Sequence, residues 1–148
     1  MKRTNMIPLH LLLLLFVFFS QSLIGQKAPT FKVVGESLNK EVVEAGKRLD
    51  VSKINVENIS DMPIFLKWKT VHNSFPKAWD CSMCQHGKCQ IGIPEGSSFK
   101  KLNPDQQGYI AIHVMPGDKS GKGVVTFKIY DIENPDFHEN ITFEVEVQ

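Results

Sequence analysis

An excess of charge of either sign is missing from this chain. Lysine and arginine number 17 and aspartate and glutamate 16, for a formal net charge of +1. That excludes the basic footprint of a nucleic-acid binder and the acidic tail of a solvating segment. Long apolar runs are missing as well, with the single exception of Leu11 to Phe19, nine residues. Nine residues of helix cover only about half of a ~30 Å hydrocarbon core, so a spanning helix is not expected. Beyond that run no ten-residue stretch holds a 3.6 period, which argues against helices altogether. No internal repeat and no low-complexity tract occurs. The common catalytic signatures are absent too: no glycine loop cradles a phosphate, no serine sits in a nucleophile elbow, and no histidine pairs with a serine and an acid. Gly117, Gly121 and Gly123 read as a strand-to-strand turn.

What is present begins with an address. Lys2 and Arg3 precede the apolar run, and Ser20-Gln21-Ser22 follows it, so residues 1–25 are expected to be a secretory signal peptide and 26–148 a single domain. Cleavage after Gly25 leaves Gln26 first; cleavage after Ser22, with Ser20 at −3, fits the small-residue rule better. No cysteine stands at either cut, so a lipid-modified N-terminus is not expected. Removal of residues 1–25 leaves 15 basic and 16 acidic side chains, a net charge of −1 over 123 residues. Electrostatic capture of nucleic acid or of an anionic membrane is therefore not its mode of action.

A hydrophobic share of 42%, including 10 Phe, suffices for a core. The apolar residues alternate with period two. Ile141, Phe143, Val145 and Val147 face one way and Thr142, Glu144 and Glu146 the other. The pattern recurs at Val125-Phe127-Ile129, Ile110-Ile112-Val114 and Ile64-Leu66-Trp68. Strands are also expected from about Leu49 through Val56 and at Phe31 to Val34, with weaker pairing at Glu41–Glu44 and Ser98–Leu102. Turn residues separate these runs, among them Gly35, Gly46, Asp61-Met62-Pro63, Pro94-Glu95-Gly96 and Pro116-Gly117. About seven short strands without helices predict an all-β, antiparallel immunoglobulin-like sandwich, with a closed barrel as its rival.

Residues 72–97 form the longest stretch without a strand pattern and read as a long loop. It contains Trp79, His86 and all three cysteines: Cys81, Cys84 and Cys89. In an exporting, oxidising context two of the three thiols should pair. Cys84 and Cys89 enclose four residues including Gly87, a spacing that closes a tight turn, yet spacing alone does not choose between Cys81 and Cys84 as the partner of Cys89. A third cysteine left over is a free thiol or an intermolecular link. The sharper alternative is a metal site of Cys81, Cys84, His86 and Cys89, soft ligands suited to zinc or cuprous copper, with Met83 near and His113 and Met115 on a strand end. Covalent haem is disfavoured because Gln85 stands where histidine should follow Cys84. Dithiol redox chemistry at Cys81-x-x-Cys84 lacks the helix that lowers a thiol pKa. No cofactor is expected.

Three further features have ordinary explanations. Asp131, Glu133 and Asp136 suggest a surface calcium site but read better as a solvated loop. His113 lies opposite the core-facing set, in a groove or at the surface. Asn58-Ile59-Ser60 and Asn140-Ile141-Thr142 match the glycosylation acceptor pattern.

Trp79, Cys84-x4-Cys89, Leu102, Tyr109 to Val114, Gly121-Lys122-Gly123 and Tyr130 to Pro135 resemble small secreted proteins of the Bacteroidota with an immunoglobulin-like sandwich, a tryptophan and a short cysteine hairpin. Val56 to Ser60 followed by Leu66-Lys67-Trp68 resembles their paired early strands. The likeness extends over about residues 30–148. It implies an exported sandwich and a structural Cys84–Cys89 disulfide, with Cys81 an addition. Many such proteins carry a C-terminal sorting domain; with Gln148 inside the last strand, none is expected here. The expected function is an exported, non-enzymatic binding or envelope-associated module with a protein or glycan partner, secreted or periplasmic after cleavage. The alternatives are a periplasmic metal-binding or thiol-redox protein using the Cys81–Cys89 loop, and a structural subunit that donates a strand.

Overall fold

Alternation with period two organises the described residues into ten strands. The computed structural model describes residues 27–148, so the expected signal peptide and its cleavage site lie outside the described residues. In chain order the strands are β1 (Phe31–Val34), β2 (Leu38–Val43), β3 (Leu49–Asn58), β4 (Leu66–Asn73), β5 (Asp80–Gln85), β6 (Lys88–Ile91), β7 (Gly96–Ser98), β8 (Gln107–Met115), β9 (Gly121–Asp131) and β10 (Asn134–Val147). They form two five-stranded sheets. Sheet A runs β1-β3-β8-β5-β6 and sheet B runs β2-β10-β9-β4-β7. Among the described residues there is no helix.

The core lies between the sheets because each strand turns its apolar set inward. Ile54 and Val56 of β3 and Ile110, Ile112 and Val114 of β8 face Leu66 and Trp68 of β4, Val125, Phe127 and Ile129 of β9, and Ile141, Phe143 and Val145 of β10; all are buried. Ring edges meet ring faces at the centre. Trp68 and Phe127 lie 5.3 Å apart at 88°, and Phe127 and Phe143 6.2 Å apart at 75°, the edge-to-face arrangement that aromatic quadrupoles favour.

Three expectations need correction. The described residues form ten strands rather than about seven; β5 and β6 fall inside the segment that reads as a loop, and β7 begins at its end. The pairing is not wholly antiparallel, since β2 runs parallel to β10, with Thr142 beside Leu38 and Val147 beside Val43. Gly121 and Gly123 belong to β9 and not to a turn. Gly123 has its own reason to lack a side chain, because a Cβ there would strike the ring and backbone of Phe75.

Among the described residues, no buried side-chain nitrogen or oxygen lacks a hydrogen-bond partner. Asn58, fully buried, donates from Nδ2 to the carbonyls of Met62 (2.8 Å) and Leu102 (3.0 Å), while its Oδ1 accepts from Ser60 N at 2.9 Å. An amide so enclosed is no glycosylation acceptor in the folded chain. Asp131 is buried as well and accepts from Thr30 Oγ1 (2.8 Å) and Glu133 N (3.1 Å). Its oxygens close a corner of the sandwich instead of facing a cation.

Candidate functional site: the outer face of the cysteine hairpin

The segment predicted as a loop is a β-hairpin built into sheet A. β5 pairs antiparallel with β8 on one side and with β6 on the other. Two residues, His86 and Gly87, make the turn, with φ of 49° and 74°. Positive φ at both positions is what a tight hairpin turn matched to strand twist requires, and glycine supplies one of them without strain.

The hairpin is anchored from both sides. Inward, Met83 joins the core and Gln85 stands where an apolar residue would be expected. Trp68 Nε1 of the opposite sheet donates to Gln85 Oε1 at 2.8 Å, and Gln85 Nε2 donates to Ser98 O at 3.0 Å. At the tip, His86 packs edge-on against Phe99 at 5.4 Å, and its Nε2 accepts the Lys100 N–H at 3.1 Å. Gly87 N donates to Tyr109 Oη at 2.8 Å. Gly108 makes room for this packing, since a Cβ there would meet the Phe99 ring at 2.9 Å. Burial, and secondarily the Lys100 charge, hold the His86 pKa below its ordinary 6.5.

Strand parity decides where the cysteines go. Residues 81 and 84 differ by an odd number, so their side chains leave opposite faces of β5. Cys81 packs against the core, with its Sγ 3.9 Å from Trp79 O. Burial, and after it the Asp80 carboxylate, push its thiol above the ordinary 9.0. Cys84 points outward, directly opposite Cys89 on β6, with Cα atoms 4.0 Å apart, and the two are joined in a disulfide. The fold thus separates Cys81 from Cys84 and commits His86 to the turn; the four-ligand set Cys81, Cys84, His86 and Cys89 is not assembled.

What the outer face assembles instead lies around the disulfide. Ser82 of β5 is the register partner of His113 on β8, and Cys84 that of Ala111. A shallow open groove of about 450 Å³ runs across this face. Arg48, Leu49 and Val51 line it from β3 and the residue before it, Ser82 and Cys89 from the hairpin, and His113 and Met115 from β8. Val51 and Met115 are about half exposed, and Ile91 at the end of β6 is fully so. Ligand atoms of Cys84, Cys89 and His113 lie within 4.8 Å of one another, but the two sulfurs are bonded to each other and offer no thiolate.

The outer face of sheet B carries ion pairs between neighbouring strands. Lys40 pairs with Glu144 at 3.5 Å and Lys122 with Glu146 at 2.8 Å, over a ladder that includes Thr126 and Thr142 hydroxyls 3.0 Å apart. Leu38 and Val42 are exposed beside these pairs, and sheet A has an ion pair of its own, Lys32 to Glu57 at 3.1 Å, so what sets sheet A apart is the groove beside the disulfide.

No protein-family profile and no curated protein matches the sequence. Solved structures do. The chain is similar to the N-terminal domain of PorA, with a TM-score of 0.57 at 15% identity, over 80% of this chain and 97% of that one. It is similar to the ASH/PapD-like domain of human CEP192, with a TM-score of 0.51 at 8% identity, over 84% of this chain and 91% of that one. A family 123 glycoside hydrolase from Clostridium perfringens matches with a TM-score of 0.52 at 11% identity over 81% of this chain, but only 27% of that enzyme. Identities so low carry the fold and nothing finer. The chain is an immunoglobulin-like β-sandwich with its tryptophans and cysteine pair in place.

Proposed function

We propose that this protein is an exported, non-enzymatic binding module of the cell envelope, and that it engages a protein partner through the outer face of sheet A. The observation that carries this reading is the apolar-lined groove beside the disulfide on that face. Val51 and Met115, each about half exposed, line that groove together with Leu49, and Ile91 is fully exposed at the end of β6. Exposed apolar side chains grouped in this way favour association, and methionine is enriched where proteins meet. No Phe, Tyr or Trp lines the groove, so the aromatic platform that a sugar ring would stack on is lacking there, which favours protein over glycan. Export is supported by the charged start and short apolar run of residues 1–25 and by a disulfide, a bond that persists in oxidising compartments.

Two measurements test it. Mass spectrometry of the protein from its own cells should find a chain beginning at Leu23 or Gln26; an uncleaved chain in the cytoplasm refutes export. A photo-crosslinking residue placed at Val51 or Ile91 should yield a discrete protein adduct, while the same residue at Glu144 on sheet B should not. Equal labelling from the two faces, or an adduct removed by glycosidase, overturns the assignment of face or partner.

A further inference from the structure

We propose that, once the disulfide is reduced, this protein binds Zn2+ through Cys84, Cys89 and His113. This site goes beyond the binding role and stands independently of any protein partner.

The backbone places the three ligands without help from the sulfur–sulfur bond. Cys84 and Cys89 are register partners across the β5–β6 pair, and β5 is held to β8 by six consecutive paired positions, Asp80 to Gln85. The bond from Trp68 to Gln85 fixes the same strand from the core side. His113 projects from β8 on the same face, next to the hairpin. Their ligand atoms already lie within 4.8 Å of one another. A tetrahedral zinc centre with Zn–S near 2.3 Å sets its two sulfurs about 3.8 Å apart, a spacing that opposed cysteines reach by side-chain rotation alone.

The chemistry balances with a dithiol as the reductant. One of its thiolates attacks the sulfur of Cys89, the exposed partner, and Cys84, which is buried, leaves as a thiolate. The second thiol of the reductant then displaces Cys89 and departs as a cyclic disulfide. Two electrons and two protons pass to the protein. Zn2+ takes the place of the two thiol protons, so a dication meets two thiolates and a neutral imidazole and the centre carries no net charge. Two cysteines and one histidine leave a fourth position for an exchangeable ligand, the arrangement of an open rather than a closed zinc site. That position faces the groove, where Met115 and Ser82 stand. Cys81 takes no part, because it packs toward the core from the other face of β5.

Cobalt reports such a site optically. Mature protein reduced with a phosphine under anaerobic conditions and titrated with Co2+ should show thiolate-to-cobalt charge transfer and visible bands of tetrahedral intensity, both displaced by Zn2+. Cys81→Ser should bind as the wild type does. His113→Ala should lower the Co2+ affinity by more than about tenfold, and Cys89→Ser should abolish the charge-transfer band, as should oxidised wild type. Absence of the band in reduced wild type overturns the proposal, and so does equal affinity in His113→Ala or loss of binding in Cys81→Ser. Circular dichroism on the same samples closes the remaining gap. Reduced protein that loses its β signal also overturns the proposal, because paired strands build the site.

Discussion

Replacing Gln85 with methionine isolates one hydrogen bond that crosses the core. The two side chains are similar in length and volume, so packing changes little while the acceptor disappears. Trp68, 2% exposed, is left with an indole N–H that no water reaches, since its partner Gln85 is itself only 8% exposed. A buried donor without a partner costs about 1–3 kcal/mol. The second bond of Gln85, to Ser98 O, ends on an exposed residue, where water substitutes for the lost amide and the added cost is small. The sum is about 2 kcal/mol, or roughly 6–10 °C in melting temperature for a domain of this size. Urea denaturation followed by tryptophan fluorescence measures it, and Trp79 serves as reporter when Trp68 is changed. A double-mutant cycle of Gln85→Met with Trp68→Phe should return a coupling of about 1–2 kcal/mol, because removing the donor relieves the penalty of removing the acceptor. Additive single effects, or a loss below about 0.5 kcal/mol in Gln85→Met, would refute the bond and with it the anchoring of the hairpin to the opposite sheet.

Truncating Phe127 or Phe143 to alanine should each cost about 3–5 kcal/mol in urea denaturation, since both rings are fully buried in one cluster; near-wild-type stability would mean that they do not share a core. Cys81 should react with iodoacetamide more slowly than a small free thiol at pH 8, with a rate still climbing above pH 9, because burial and Asp80 disfavour its thiolate. The neutral form of His86 is favoured in the folded state, so its contribution to stability is full above about pH 6.5 and is lost as pH falls below that toward the lower folded pKa. Comparing urea midpoints at pH 7.5 and 5.5 should show this fall in the wild type and a flatter profile in His86→Gln, which keeps an acceptor for Lys100 N–H.

How much of this was legible in the sequence depends on what each strand faces. β8, β9 and β10 each pack one face on the core and leave the other wet, so their alternation is clean and their inward residues are readable one by one. β5 is equally central to its sheet but shows no such pattern. Of its inward positions, Cys81 and Gln85 are not aliphatic, and only Met83 looks like core. A polar side chain satisfied by a tryptophan of β4, in the other sheet, leaves no trace in local periodicity. Gly123 misled for a related reason, since its lack of a side chain answers to Phe75, a residue far off in sequence. Spacing left the partner of Cys89 open and the resemblance implied Cys84, whereas parity along a strand sets Cys81 and Cys84 on opposite faces. The position of His113 beside Cys84 and Cys89 follows from the register of β5 on β8, which no local signal encodes.

The parallel seat of β2 on β10 has a consequence for timing. β1 pairs with β3, and the β5–β6 hairpin closes over a two-residue turn, so parts of sheet A have near neighbours in sequence to wait for. β2 has no such neighbour in its own sheet: Leu38 to Val43 lie beside Thr142 to Val147 and pair with no other strand there. Its place exists only after β10 has been made and laid against β9. Sheet B therefore gains its outer strand last, from residues synthesised among the first of the domain. While a ribosome or a translocation pore still holds β10, β2 has no strand to pair with in its sheet, and the sandwich stays open on that side.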